Sequence, residues 1–188
     1  MFITNFTQKI EFLATKLNLI YKIASSYYFE VIRYEVALGG INKNDHILCI
    51  GGGFCPFSAI LFHQMTGAKV TVIDYNSECI HKSQKFIEKK GLSEDIKFFC
   101  KNGCCPEIDY DEYTVIHFAM QVSPLEFVLN EVKKRILPGT KMLIRRPKDI
   151  LNSLYSPLPI EKFGFSYCID HKQAVNIGST YLYIKNVC

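Results

Sequence analysis

The chain has 188 residues, 48% of them hydrophobic and 21% charged, which is enough apolar material for one globular core and too little length for two comfortable ones. Its formal net charge of +4 is mild, and the basic residues fall in short groups (Lys89-Lys90, Lys133-Lys134-Arg135, Arg145-Arg146), so nucleic acid is disfavoured as a partner. No apolar stretch reaches the length of a membrane span and the N-terminus lacks a signal-peptide pattern, which predicts a cytoplasmic protein whose eight cysteines are free thiols.

Residues 4 to 23 read as a helix, with Ile10, Leu13, Leu17 and Ile20 at helical spacing. A second helix is predicted from Ser26, a good N-cap, with Tyr28, Ile32 and Glu35 on one face and a stop at Gly39-Gly40. These form a helical cap over residues 1–40, ahead of one compact unit over 41–188. From there strands at His46–Ile50, Lys69–Asp74, Ile96–Cys100, Tyr113–Phe118 and Lys141–Arg145 alternate with helices at Pro56–Met65, Ser77–Lys90 and Ser123–Leu137. Such alternation builds an α/β fold, a mostly parallel sheet with helices on both faces.

The helix after the fourth strand is marked by Ser123 as cap, Pro124 at its first position, Glu126 closing a capping box, and a stripe of Leu125, Val128, Leu129, Val132 and Ile136. Two closing strands, near Phe165–Asp170 and Thr180–Lys185, are joined too tightly for a crossover, so the seven-stranded sheet ends antiparallel.

Chemistry concentrates where the first strand ends. Gly51-Gly52-Gly53-Phe54 opens a turn into the next helix, and the second strand ends in Asp74, 21 positions past Gly53. Glycines let backbone turn sharply and approach a ligand, and an acid at that strand end accepts both hydroxyls of a ribose. Pro56 stands where a diphosphate-binding loop needs its third glycine, which favours S-adenosylmethionine (SAM) over a dinucleotide. Tyr75 is placed to pack on the nucleoside, Asn102 and Gly103 to hold the adenine, and Phe118, Ala119 and Met120 lie at the sheet's ligand edge. Cys100, Cys104 and Cys105 come nearest to a metal set, but their spacing is not that of a zinc site and no metal is expected.

This arrangement resembles the Rossmann-like SAM-dependent methyltransferase fold. Gly-Gly-Gly-Phe-Cys-Pro-Phe-Ser-Ala-Ile more narrowly resembles the glycine loop of nicotianamine synthases, with Phe54-Cys55 standing where that family has Pro-Leu. Tyr27-Tyr28-Phe29-Glu30 through Glu35-Val36-Ala37-Leu38-Gly39, and Leu154-Tyr155-Ser156-Pro157, resemble further stretches of it. The resemblance implies transfer of the 3-amino-3-carboxypropyl group of SAM to a small amine or amino-acid acceptor, release of methylthioadenosine, and a metal-chelating product of the metallophore type. It places Glu35 over the cofactor as a base, with Tyr28 on the same helix face; the bland alternative for Glu35 is a surface residue paired with Arg33 or Lys43. A SAM-dependent methyltransferase of a small molecule or RNA, and a SAM-binding protein without catalysis, stand as alternative functions, and a homodimer is compatible with any of them.

Overall fold

The computed structural model describes Lys9 and residues 11–186. Helix α1 covers residues 11–16 and breaks at Leu17, whose extended backbone (φ −115°, ψ 109°) precedes α2, Asn18–Gly39. The expected boundary at Ser26 is absent. No glycine or proline interrupts residues 18 to 38, so α2 runs through unbroken until Gly40 closes it in the left-handed conformation (φ 55°). Residues 4–8 and Ile10 of the first expected helix lie outside the described residues. Its expected apolar stripe is also displaced: Leu13 and Leu17 are 42% and 51% exposed, while Ala14 is buried. The small side chain lets α1 approach the core closely, and the break at Leu17 resets the helical phase.

Strands β1 (His46–Ile50), β2 (Lys69–Asp74) and β3 (Ile96–Cys100) and helix α4 (Ser77–Lys90) fall where their patterns put them. Helix α3 spans Phe57–Thr66, β4 Val115–Phe118, α5 Leu125–Arg135, β5 Lys141–Pro147, β6 Tyr167–Asp170 and β7 Ile177–Ile184, with a single turn α6 at Ile160–Phe163. The sheet order is β3-β2-β1-β4-β5-β7-β6. The first five strands are parallel, and β7 inserts antiparallel between β5 and β6. Mixed topology with one reversed strand is thus as expected.

Apolar side chains pack both faces. One cluster joins Ile47, Cys49, Val70 and Val72 to Ile60, Phe62, Phe86 and Ile32; the other joins Leu48, Ile116 and Ile144 to Leu125, Leu129 and Val132. The α5 stripe is buried as its spacing requires, but the expected capping box does not form. Pro124 occupies the cap without a side-chain bond, and Ser123 accepts a hydrogen bond from Ser156 instead, at 2.8 Å.

Register sets the position of the site. Ile50 pairs with Ile73 on one side and Phe118 on the other, so β1, β2 and β4 end level at one edge. The backbone beyond that edge is still laced together, Gly51 N–H to the Ile73 carbonyl (2.9 Å) and Ala119 N–H to that of Ile50 (3.1 Å). Among the described residues, no helix is long and apolar enough to cross a membrane.

Candidate active site

Three glycines leave β1 under two kinds of constraint. Gly51 and Gly53 have φ of +89° and +63°, which side chains other than glycine rarely adopt. Gly52 has no positive φ, but a Cβ there would come 2.3 Å from Cγ1 of Val72. The turn therefore holds backbone against both the sheet and the cleft above it.

Asp74 at the end of β2 fastens that turn. Its Oδ2 accepts from Gly53 N–H at 3.0 Å and its Oδ1 from Asn76 N–H at 2.9 Å, leaving lone pairs for a ligand's hydroxyls. Beside it lies a cleft of about 790 Å³, counting space open to solvent, lined by Gly51, Gly53, Asp74, Tyr75, Asn102 and Gly103 among others. Six of the residues singled out from the sequence are thus brought to one cleft. Tyr75 is 80% exposed, free to cover a bound ring. Asn102 Oδ1 accepts from Cys104 N–H, and the Gly103 carbonyl accepts from the buried Tyr110 hydroxyl, so that turn is prearranged.

A second chamber, about 440 Å³, lies behind the turn and is lined by Tyr28, Gly52, Cys55, Ser58, His117, Ala119 and Arg145 among others. Glu11, Gly51 and Gln121 line both spaces, which therefore adjoin. Phe118 and Met120 line neither. Phe118 is enclosed in the core, and Met120 packs with Val31, Ala174 and Ile177. Phe54 contributes its N–H; its ring turns toward Phe12 and lies under the Lys82 ammonium, 4.7 Å away.

Glu35 is placed otherwise than either expectation. It is fully buried and lines neither space, and Arg33 pairs with Glu30 instead. Arg145 grips both its oxygens, through Nε at 2.7 Å and Nη2 at 2.8 Å, while Thr180 donates its hydroxyl to Oε1 at 2.8 Å. Burial pushes the carboxyl up, but Arg145 and its neighbours outweigh this and hold it down at about 2. A carboxylate so enclosed and so weakly basic is no proton acceptor for an amine. It positions Arg145, whose remaining Nη1 donates to Ser58 on the second chamber's wall, at 2.9 Å.

His117 stands 3.7 Å from Glu35 on that wall. Burial, and then the Arg145 charge, push its imidazole down to about 3, so it is neutral. Tyr28 faces the same chamber, its ring stacked on Phe57 with centroids 5.3 Å apart, and burial raises its hydroxyl pKa. Cys55 is no nucleophile, because burial raises its thiol well above the ordinary range.

The acid that sequence reasoning passed over is Glu11. Helix α1 carries it to the lining of both spaces, where Oε2 accepts from Phe54 N–H at 3.0 Å. Burial raises its pKa to about 8 against the lowering effect of that N–H, and Asp74 adds to the rise. The clue available was Ala14, one turn further along, a small residue at a close helix approach.

No protein-family model matches the chain. Over 144 residues it is 24% identical to an L-histidine 2-aminobutanoyltransferase of Pseudomonas aeruginosa, covering 75% of this chain and 54% of that protein. It is 29% identical over 124 residues to a sterol 24-C-methyltransferase of Pneumocystis carinii, covering 61% and 32%. The chain thus spans about half, or less, of the length of these curated relatives. The crystal structure of a mutant of MtNAS, a nicotianamine synthase, in complex with S-adenosylmethionine superposes with a TM-score of 0.83 at 21% identity, over 98% of this chain and 75% of that one. The chain therefore has the Rossmann-like fold of SAM-dependent methyltransferases, and the resemblance read from its glycine loop holds at the level of fold.

Proposed function

We propose that the chain is a SAM-dependent transferase that moves the 3-amino-3-carboxypropyl group of SAM to an amine. The observation that carries this reading is the pair of adjoining spaces. A cleft with an acid able to accept ribose hydroxyls adjoins, at Glu11, a chamber lined by polar side chains. Arg145, Ser58, His117 and Tyr28 suit a substituent with its own charges better than they suit a bare methyl group. The likeness to the aminobutanoyltransferase and to the nicotianamine synthase supports the same choice.

In this reading Asp74 accepts the ribose hydroxyls, Tyr75 covers the adenine and Asn102-Gly103 form the far wall. The sulfonium is already an excellent leaving group, so the protein has to place an amine in line and take its proton. Glu11 is assigned that task from its position beside both spaces. The new C–N bond forms as the C–S bond breaks, and the electron pair leaves on the sulfur of methylthioadenosine. Tyr28 is assigned to orienting the acceptor by its hydroxyl. The product would be a polyvalent amino acid able to chelate metal. The helical segment before Ile41 is assigned the role of a cap over the remaining residues.

Incubation with SAM and candidate amino acids, followed by mass spectrometry of the nucleoside, tests the proposal. Methylthioadenosine is the expected product. Exclusive formation of S-adenosylhomocysteine would instead establish the methyltransferase alternative, and binding of SAM without either product the non-catalytic one.

A further inference from the structure

Two carboxylates hang from consecutive amides of the glycine turn. Asp74 accepts from Gly53 N–H and Glu11 from Phe54 N–H, each at 3.0 Å, and both line the first cleft. Among the described residues, the cations near this cleft are committed elsewhere. Arg145 is held by Glu35 and Ser58, Lys101 is bonded to the Glu107 carbonyl, and Lys82 lies over the rings of Phe12 and Phe54. The other titratable groups facing Glu11 are Tyr28 from α2, Cys55 from the turn and Cys79 from α4, all made more reluctant to ionise by burial. Two acids sharing a site without a free counter-charge do not both ionise readily, and here Glu11 is the one raised, to about 8.

We propose that the sulfonium donor arms this site: its positive charge, seated in the cleft that Asp74 and Glu11 line, displaces the proton of Glu11 to solvent, so that the base exists only once the donor is bound. This rests on the functional reading above. The charges then balance through a turnover. Ionised Glu11 takes one proton from the acceptor's ammonium, the free amine displaces the thioether, and the product leaves as a secondary ammonium. What remains is a neutral thioether beside a protonated Glu11, the state that the empty site prefers. At pH 7 an unloaded site thus holds mostly the protonated acid, which cannot deprotonate an acceptor.

Calorimetric titration in two buffers of different ionisation enthalpy tests this. With SAM at pH 7 the expected release is close to one proton per donor bound, falling to about half at pH 8. S-adenosylhomocysteine, neutral at sulfur, is expected to bind without releasing a proton, an arm that needs no variant. Glu11→Gln is expected to bind SAM with no buffer-dependent heat. SAM binding whose heat is the same in both buffers, or full proton release by Glu11→Gln, would overturn the inference while leaving the transferase reading intact. Failure of both nucleosides to bind would overturn the two together.

Discussion

Arg145 and Glu35, 110 residues apart in sequence, close a two-pronged ion pair in the interior, 2.7 and 2.8 Å long. Neither side chain reaches solvent to any useful extent, at 4% and 0% exposure. The pair ties α2 to β5 behind the second chamber, and it turns one guanidinium edge toward Ser58.

Removing one member strands the other charge. Glu35→Gln is expected to cost about 3–5 kcal/mol of folding free energy, and the paired change Glu35→Leu with Arg145→Met much less. Urea melts of the three proteins check this. A fully stable Glu35→Gln would mean that the guanidinium finds another partner.

Asp74→Ala removes one bond to the glycine turn, one to Asn76 and the acceptor of the ribose hydroxyls. SAM affinity is expected to fall by about 1–3 kcal/mol, read by calorimetry. Unchanged affinity would take Asp74 out of the donor site.

Gly52→Ala drives a methyl group onto Val72, at 2.3 Å before any relaxation. Donor binding is expected to weaken about tenfold or more, the order of an overpacked site. Adding Val72→Ala opens the space again and should restore most of it. If the double variant binds no better than the single one, the close approach is not what excludes a side chain at position 52.

Acid should destabilise the fold in two overlapping windows. His117 is held down to about 3 by burial and then by Arg145, so between pH 6.5 and 3 the unfolded chain takes up a proton that the native one refuses. Burial lowers His46 and His171 as well, with the same sign. Glu35, lowered to about 2, contributes stability that is present above pH 4.5 and lost below it. Glu11, raised to about 8, acts with the opposite sign between pH 8 and 4.5, so the histidine window is read in Glu11→Gln: there Tm is expected to drop from pH 7 to pH 5, and to drop less when His117→Gln is added. Equal drops would assign the upper window to the other histidines.

The sheet was legible because each strand is an apolar run bounded by turn residues, and Ile47–Ile50 and Val70–Ile73 are buried on both faces. The glycine turn and Asp74 were legible because that chemistry is local, a few residues at a strand end. Pairings across the chain were not. Glu35 reads as a helix-face acid until Arg145, far along in β5, is brought against it, and Thr180 in β7 adds the third bond. Glu11 looks like any acid on a short amphipathic helix, and only the packing of Ala14 shows that this face turns inward. Ser123 carried every local mark of a helix cap, yet Ser156 claims its hydroxyl.

Strand β7 is the last in order but sits sixth across the sheet, where it satisfies the open edge of β5 and carries Thr180 to Glu35. During synthesis, then, five parallel strands can assemble while β5 still offers unpaired amides to any passing chain. A nascent polypeptide stalled before Ile177 would expose that edge and leave the carboxylate behind the chamber one bond short. Premature stops in this stretch are therefore a route to aggregates, and a chaperone that shields β5 until translation passes Ile184 would raise the yield of folded protein.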